Sequence, residues 1–148
     1  MALDYFQILE DDFDILSQVM MLEEEIKGEA MKGSDLIAYA RYGRVYVAME
    51  GDELLGCCFL LGQVGNAKRS FLYSVSAKPG EAGRGIGVKL LDKVFFDLKS
   101  SGVTSVETMV HPENIKALRI YRSSFNFDLV PDEETADKEN YLILRKTL

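Results

Sequence analysis

With 148 residues, 47% of them hydrophobic and 28% charged, the chain has the make-up of one soluble globular domain able to bury a real core. Its formal net charge of -7 argues against a nucleic-acid binder, which normally carries a basic patch. No apolar run approaches the roughly 20 residues needed to span a bilayer.

Tyr5-Phe6-Gln7-Ile8-Leu9 reads as a short first strand. Glu10 to Asp12 then offers acidic caps for a helix from about Phe13 to Lys27, whose apolar positions Phe13, Leu16, Val19, Met20 and Ile26 recur at helical spacing. Gly28 and Gly33 break it, and Ser34 is placed to cap a shorter helix over Asp35 to Arg41 that Gly43 ends. A hairpin follows, Arg44 to Met49 and Leu54 to Leu60 flanking the turn Glu50 to Glu53. Gly62 to Lys68 reads as a second turn region, leading into a strand at Phe71 to Ala77. After a glycine-rich turn, a helix runs from Gly85 to about Ser100 with Leu90, Leu91, Val94, Phe95 and Leu98 on its core side, and Ser101-Gly102 ends it. Thr104 to Val110 is the next strand and Asn114 to about Phe125 the next helix. Phe127 to Val130 and Tyr141 to Lys146 close the chain as strands around the polar segment Asp132 to Asn140.

The order is β-α-α-β-β-β-α-β-α-β-β, without internal repeat or linker, so a single domain over residues 1–148 is expected. The crossover from Phe71 to Val110 requires those two strands to run parallel within a mostly antiparallel sheet. The expected class is α/β (α+β), a mixed sheet of about seven strands with a central parallel pair and about four helices.

Cys57 and Cys58 are adjacent in an apolar run and point to opposite faces of a strand, which suits buried thiols better than a disulfide framework. His111 is the only histidine and has no Cys or His cluster beside it, so no metal site is expected. The N-terminus, Met1 to Tyr5, lacks the basic and apolar regions of a signal peptide, and the expected location is cytoplasmic. Acidic runs at Glu10 to Asp14, Glu23-Glu24-Glu25 and Asp132 to Glu139 read as solvated faces or loops, or alternatively as an acidic rim that attracts a cationic amine.

Two motifs carry chemistry. In Ala82-Gly83-Arg84-Gly85-Ile86-Gly87 a glycine-rich turn joins strand to helix. That junction aims backbone N–H groups and a helix N-terminus at one point where a phosphate can sit, and glycine lets a diphosphate come close. In Val110 to Tyr121 a strand ends, Pro112 and Asn114 start a helix, and Asn114, Ala117, Leu118 and Tyr121 fall on one face. That face presents an amide, a small residue and a phenol.

On these motifs the chain resembles the GNAT superfamily of acyl-CoA N-acyltransferases. The family's turn pattern is Gln or Arg, two residues, Gly, one residue, then Gly or Ala. It maps onto Ala82, Gly85 and Gly87, with Ala82 standing where the family has Gln or Arg. The second pattern, Asn, two residues, Ala, three residues, Tyr, is present in full as Asn114, Ala117 and Tyr121. The family's helix ending Gly-Phe appears here as Phe125-Asn126-Phe127, displaced by one residue, and Asn126 tolerates the left-handed conformation that the missing glycine would have taken. The element order is shared over nearly the whole chain, and the specific residues lie between Val75 and Phe127.

The resemblance implies a GNAT fold and acetyl transfer from acetyl-CoA to a primary amine, either a small molecule or a protein or peptide amine. Ala82, Gly83, Arg84, Gly85, Ile86 and Gly87 are then expected at the coenzyme A pyrophosphate. Asn114 is expected at the pantetheine arm or the phosphate region, Ala117 with it among the cofactor-binding residues, and Val75, Ser76 and Ala77 at an opening between two parallel strands where a main-chain N–H faces the oxyanion. Tyr121 is the expected acid for the leaving thiolate. The base is left among Glu24, Glu107, Glu113, His111 or a water. The rival readings are a non-catalytic acyl-CoA-binding or sensor module, which has no need of Tyr121, and a nucleotide-binding domain, disfavoured because no Lys-Ser or Lys-Thr follows the turn. The acceptor's identity and a homodimer are left open.

Overall fold

The computed structural model describes residues 2–9, 12–81, 83–130 and 140–148. Its strands are β1 (Leu3–Gln7), β2 (Arg44–Glu50), β3 (Glu53–Gln63), β4 (Asn66–Ala77), β5 (Ser105–Val110), β6 (Asp128–Leu129) and β7 (Leu142–Thr147). Its helices are α1 (Phe13–Lys27), α2 (Gly33–Tyr42), α3 (Ile86–Ser100) and α4 (Ile115–Arg119), the last continued by a π-helical turn over Ile120–Ser124. The strands form one seven-stranded sheet in the order β1-β2-β3-β4-β5-β7-β6. Every neighbouring pair is antiparallel except β4 and β5, which are parallel as a helical crossover requires. Among these residues no helix is long and apolar enough to cross a membrane.

Local signals explain most element ends. Asp12 caps α1 by accepting from the Ile15 N–H at 3.4 Å, and Gly28 closes it at φ +76, where a residue without Cβ is unstrained. The segment Glu10-Asp11, which shared the expected capping role, lies outside the described residues. Ser34 is not a cap. Gly33 already belongs to α2, Lys32 holds the cap position in extended conformation, and no side chain bonds there. The expected loop at Gly62 to Lys68 is a tight hairpin instead, because β3 runs to Gln63 and β4 starts at Asn66. The first strand sits two residues earlier than its apolar pattern suggested, because Leu3 to Gln7 pair with β2. Most of the expected polar segment Asp132 to Asn140 falls outside the described residues.

The two faces of the sheet carry separate cores. On one, α1 and α2 pack over β2 and β3, burying Leu16, Val19, Leu22, Leu36, Val45, Val47, Cys57 and Phe59. On the other, α3 and the chain around α4 pack over Tyr46, Cys58, Leu60, Leu72, Val106 and Leu144. Cys57 and Cys58 therefore do face opposite ways, as the strand period requires.

One irregularity positions everything that follows. Phe59 opposes Ser74 while its neighbour Leu60 opposes Leu72, so Tyr73 is an extra residue bulged out of β4. A bulge bends and twists its strand. Pairing of β4 with β5 ends at Leu72 opposite Thr108. Beyond that rung β4 stays with β3 as far as Ala77, and β5 stays with β7 as far as Val110. The two parallel strands part, and a wedge opens in the middle of the sheet.

Candidate active site

The glycine-rich turn lies at the end of β4. Gly83 has φ +90 and Gly85 φ +67, a region that side-chain-bearing residues avoid. Gly85 caps α3 with no side-chain hydrogen bond, the first helical bond is Lys89 N–H to the Gly85 carbonyl at 2.9 Å, and no acid stands in the first turn. The leading N–H groups of α3 are thus left without a side-chain partner, and a Cβ on Gly83 would meet nothing within 4 Å. An end with unpartnered donors and open space is one that an anion can approach. Ile86 offers this end only its backbone, because its side chain is buried against Ala48 and Leu55. Gly56 makes room for it; a Cβ there would lie 3.0 Å from Ile86 Cγ2. Ala82 lies outside the described residues.

Arg84 is not a loose surface charge. Its guanidinium bonds Glu50 at 2.6 Å and Glu81 at 3.0 Å, and the hydrogen bond from Arg84 holds the Glu50 carboxyl below its ordinary range. The cation next to the turn is therefore already balanced by two carboxylates.

Tyr121 stands at the other end of the wedge. Its ring packs on Phe127 at 5.2 Å between centroids, and its phenol lies near Thr108 and Cys58. Thr108 belongs to the last β4–β5 rung and donates to the Leu72 carbonyl at 2.9 Å. The phenol oxygen thus sits where the strands separate. Burial pushes its pKa up to about 12, with Cys58 adding to the rise and Thr108 opposing it.

The expected common face from Asn114 to Tyr121 is only partly realised. Asn114 is exposed and caps α4 by accepting from the Ala117 N–H at 3.2 Å, while Ala117 and Tyr121 pack on the core. The expected single helix to Phe125 turns π-helical from Ile120, a widening that recurs at functional sites. Asn126 ends the segment at φ 58, the left-handed conformation expected of it.

Along β4, Val75 lies on the α3 side opposite Cys58, and Ser76 lies on the α1 side opposite Cys57. Ala77, the last residue of the strand, is exposed. Among the expected bases, Glu107 is engaged by Arg145 at 2.5 Å and Arg69 at 3.1 Å. His111 accepts from the Glu113 N–H through Nδ1 at 3.2 Å and meets Tyr141 edge-on. Glu24 and Glu113 are exposed. Glu24 lines a groove of about 410 Å³ with Gln18, Met21, Glu25, Glu53 and Lys78, a lining that includes neither Tyr121 nor Asn114.

Sequence reasoning passed over Glu23. Its side chain is buried, 1% exposed, where it accepts from Ser76 Oγ at 3.0 Å and from Cys57 Sγ at 3.4 Å. The acidic run Glu23-Glu24-Glu25 suggested a solvated face. The better signal was position, since Glu23 follows Leu16 by seven residues and Val19 by four, on the buried stripe of α1. Lys27, one turn further, brings its ammonium to 2.5 Å from Glu23 and 3.0 Å from Ser74 Oγ.

Burial pushes both cysteine thiols well above their ordinary pKa. We expect neither Cys57 nor Cys58 to react with a thiol-specific disulfide reagent in the native protein near pH 8, and both to react in denaturant. A thiol titrated in the folded state would contradict the packing of β3.

Among the described residues no group of three or more His, Cys, Asp or Glu could hold a metal ion. No curated protein matches the sequence. Solved structures are similar in fold. A ribosomal-protein-S18-alanine N-acetyltransferase from Escherichia coli superposes with TM-score 0.79 at 14% identity, covering 99% of this chain and 94% of that one. A probable acetyltransferase from Staphylococcus epidermidis gives 0.76 at 16% identity, covering 99% of both chains. A diaminobutyrate acetyltransferase from Paenibacillus lautus, in complex with L-2,4-diaminobutyric acid and coenzyme A, gives 0.75 at 15%, covering 97% of this chain and 93% of that one. The sequence model of the acetyltransferase (GNAT) family matches residues 4–127. That span takes in the bulged β4, the glycine turn and Tyr121 together, and the chain belongs to the GNAT family of acetyltransferases.

Proposed function

We propose that this chain, acting as a single cytoplasmic domain, moves an acetyl group from acetyl-CoA to a primary amine by direct attack on the thioester. Gly83, Gly85, Ile86 and Gly87 hold the pyrophosphate through backbone N–H groups, with Ala82 and Arg84 beside them. The open edge of β4 at Val75, Ser76 and Ala77 pairs with the pantetheine arm, and Asn114 and Ala117 flank it. The amine forms a bond to the thioester carbonyl carbon, the C–S bond breaks, and the leaving thiolate takes the Tyr121 proton. The observation that carries this reading is the Tyr121 phenol beside Thr108, at the parting of β4 and β5 and protonated up to about pH 12.

The acceptor is a small-molecule amine or a protein or peptide amine. The named neighbours include both kinds, a ribosomal-protein alanine in one and diaminobutyrate in another. Glu24, Glu113, His111 or water serves as the base, and Glu107 is disfavoured by its two arginines.

Thiol release from acetyl-CoA, measured against a panel of primary amines from amino acids and polyamines to N-terminal peptides, tests the reading. We expect amine-dependent release for at least one class. Tight acetyl-CoA binding with no turnover on any amine would favour the rival, a non-catalytic acyl-CoA-binding module.

A further inference from the structure

The described residues bury four polar or charged side chains, Glu23, Ser70, Ser76 and Thr108. Burying such groups is costly. Thr108 sits at the last β4–β5 rung, opposite Leu72, and Ser76, with Glu23 bonded to it, lies four residues further along β4. Thr108 stands with Tyr121 on the α3 side. On the α1 side are Ser76 and Glu23, and above them Lys27.

We propose that Lys27, anchored by Glu23 and acting with the Ser74 hydroxyl, stabilises the oxyanion that forms during acyl transfer; the inference rests on the acetyl-transfer reading above. The bulge at Tyr73 makes the arrangement possible. It brings Tyr73 and Ser74 consecutively to the α1 and α2 side, Tyr73 against Tyr39 and Ser74 against Lys27. Lysine side chains ordinarily extend into water. This one stays 42% exposed, with its Nζ held 5.9 Å from the centre of the Tyr73 ring.

The hydrogen bonds set the direction of the device. Lys27 donates to Ser74 Oγ, so the Ser74 hydroxyl keeps its own proton to give. Glu23 Oε1 is taken up by Ser76 and Cys57. Its buried Oε2 has no hydrogen bond of good geometry and faces Lys27 Nζ at 2.5 Å. Glu23 is therefore an anchor for the ammonium and not an acceptor of the substrate's proton. The pair forms a fixed dipole with its positive end toward Ser74, two residues past the last β4–β5 rung. A dipole aimed in advance at developing charge is the arrangement that lowers the barrier. The two sides of β4 then divide the work, a cation and hydroxyl for the carbonyl oxygen and a neutral phenol for the sulfur.

Calorimetric binding of two coenzyme A thioethers tests this without turnover. S-carboxymethyl-CoA carries a negative charge near the acyl oxygen position, and S-carbamoylmethyl-CoA is its neutral isostere. We expect the wild type to prefer the charged analogue by roughly tenfold, the factor a charge-assisted hydrogen bond supplies. Lys27→Met should bring that preference close to one and leave the neutral analogue within about twofold, while Lys27→Arg retains part of it. The double variant Glu23→Gln/Lys27→Met, which leaves no unpaired buried charge, should also lose it, so instability of the single variant does not decide the matter. A preference that survives Lys27→Met, or none in the wild type, overturns the proposal. If acetyl-CoA itself fails to bind, the acetyl-transfer reading fails first; if it binds without discrimination between analogues, only the role of Lys27 fails.

Discussion

Replacing Tyr121 with phenylalanine is expected to lower kcat by roughly 10²–10⁴-fold, the range for loss of a positioned general acid, and to leave acetyl-CoA affinity within about twofold. The variant keeps the ring contact with Phe127, and Thr108 keeps its bond to the Leu72 carbonyl, so the fold has little to lose. Proton transfer is matched by environment. Burial raises both Tyr121 and the neighbouring Cys58 thiol, so the phenol holds its proton until a strong base such as a released thiolate takes it.

The sign for pH follows from the shift. An ordinary tyrosine phenol titrates near 10.0, and burial lifts this one to about 12 in the fold. Its contribution to stability is complete below pH 10 and is lost as pH rises through about 12. Tyr121 should therefore put no alkaline limb on the kcat profile below about pH 11, and the only limb in the ordinary range should be the acid one, from the amine and its base. A Tyr121→Phe enzyme with near wild-type kcat, or an alkaline limb near pH 8 that this substitution removes, would sink the assignment.

What could be read from the sequence was what is local. Strand, glycine turn and helix follow one another directly along the chain from Asn66 to Ser100, and the parallel β4–β5 pair follows from the helix between them. Asn126 could be assigned a left-handed conformation because few residues other than glycine accept it. The long β3–β4 hairpin was hidden because its outer half, Asn66 to Ser70, carries polar residues in place of an alternating apolar pattern. The partners of Arg84 and Glu23 were hidden for another reason. Glu50 lies 34 residues from Arg84, and Ser76 lies 53 residues from Glu23, so only the folded sheet brings them together. The π-helical turn has no local signal at all; its residues Ile120 and Tyr121 pack against the core, and the backbone widens around that contact.

Gly87 lies between the two ends of the proposed donor site, and its substitution should separate space from backbone strain. Unlike Gly83 and Gly85 it does not need a positive φ, and a Cβ added to it would sit 3.9 Å from Val75 Cγ1, an ordinary contact. Gly87→Ala should therefore be accommodated and should raise thermal stability by up to about 1 kcal/mol, since alanine is the better helix former. Acetyl-CoA should still bind it within about threefold. Gly87→Leu carries its branch further toward Val75 and the unpaired edge of β4, into the gap along which the pantetheine must run from the cradle to Tyr121. It should fold and yet bind acetyl-CoA on the order of 100-fold more weakly, a loss of about 2.7 kcal/mol. Thermal melts with calorimetric titration of both variants make the comparison. If leucine binds acetyl-CoA as tightly as glycine does, the donor does not pass between α3 and β4, and the path from the glycine turn to Tyr121 has to be drawn elsewhere.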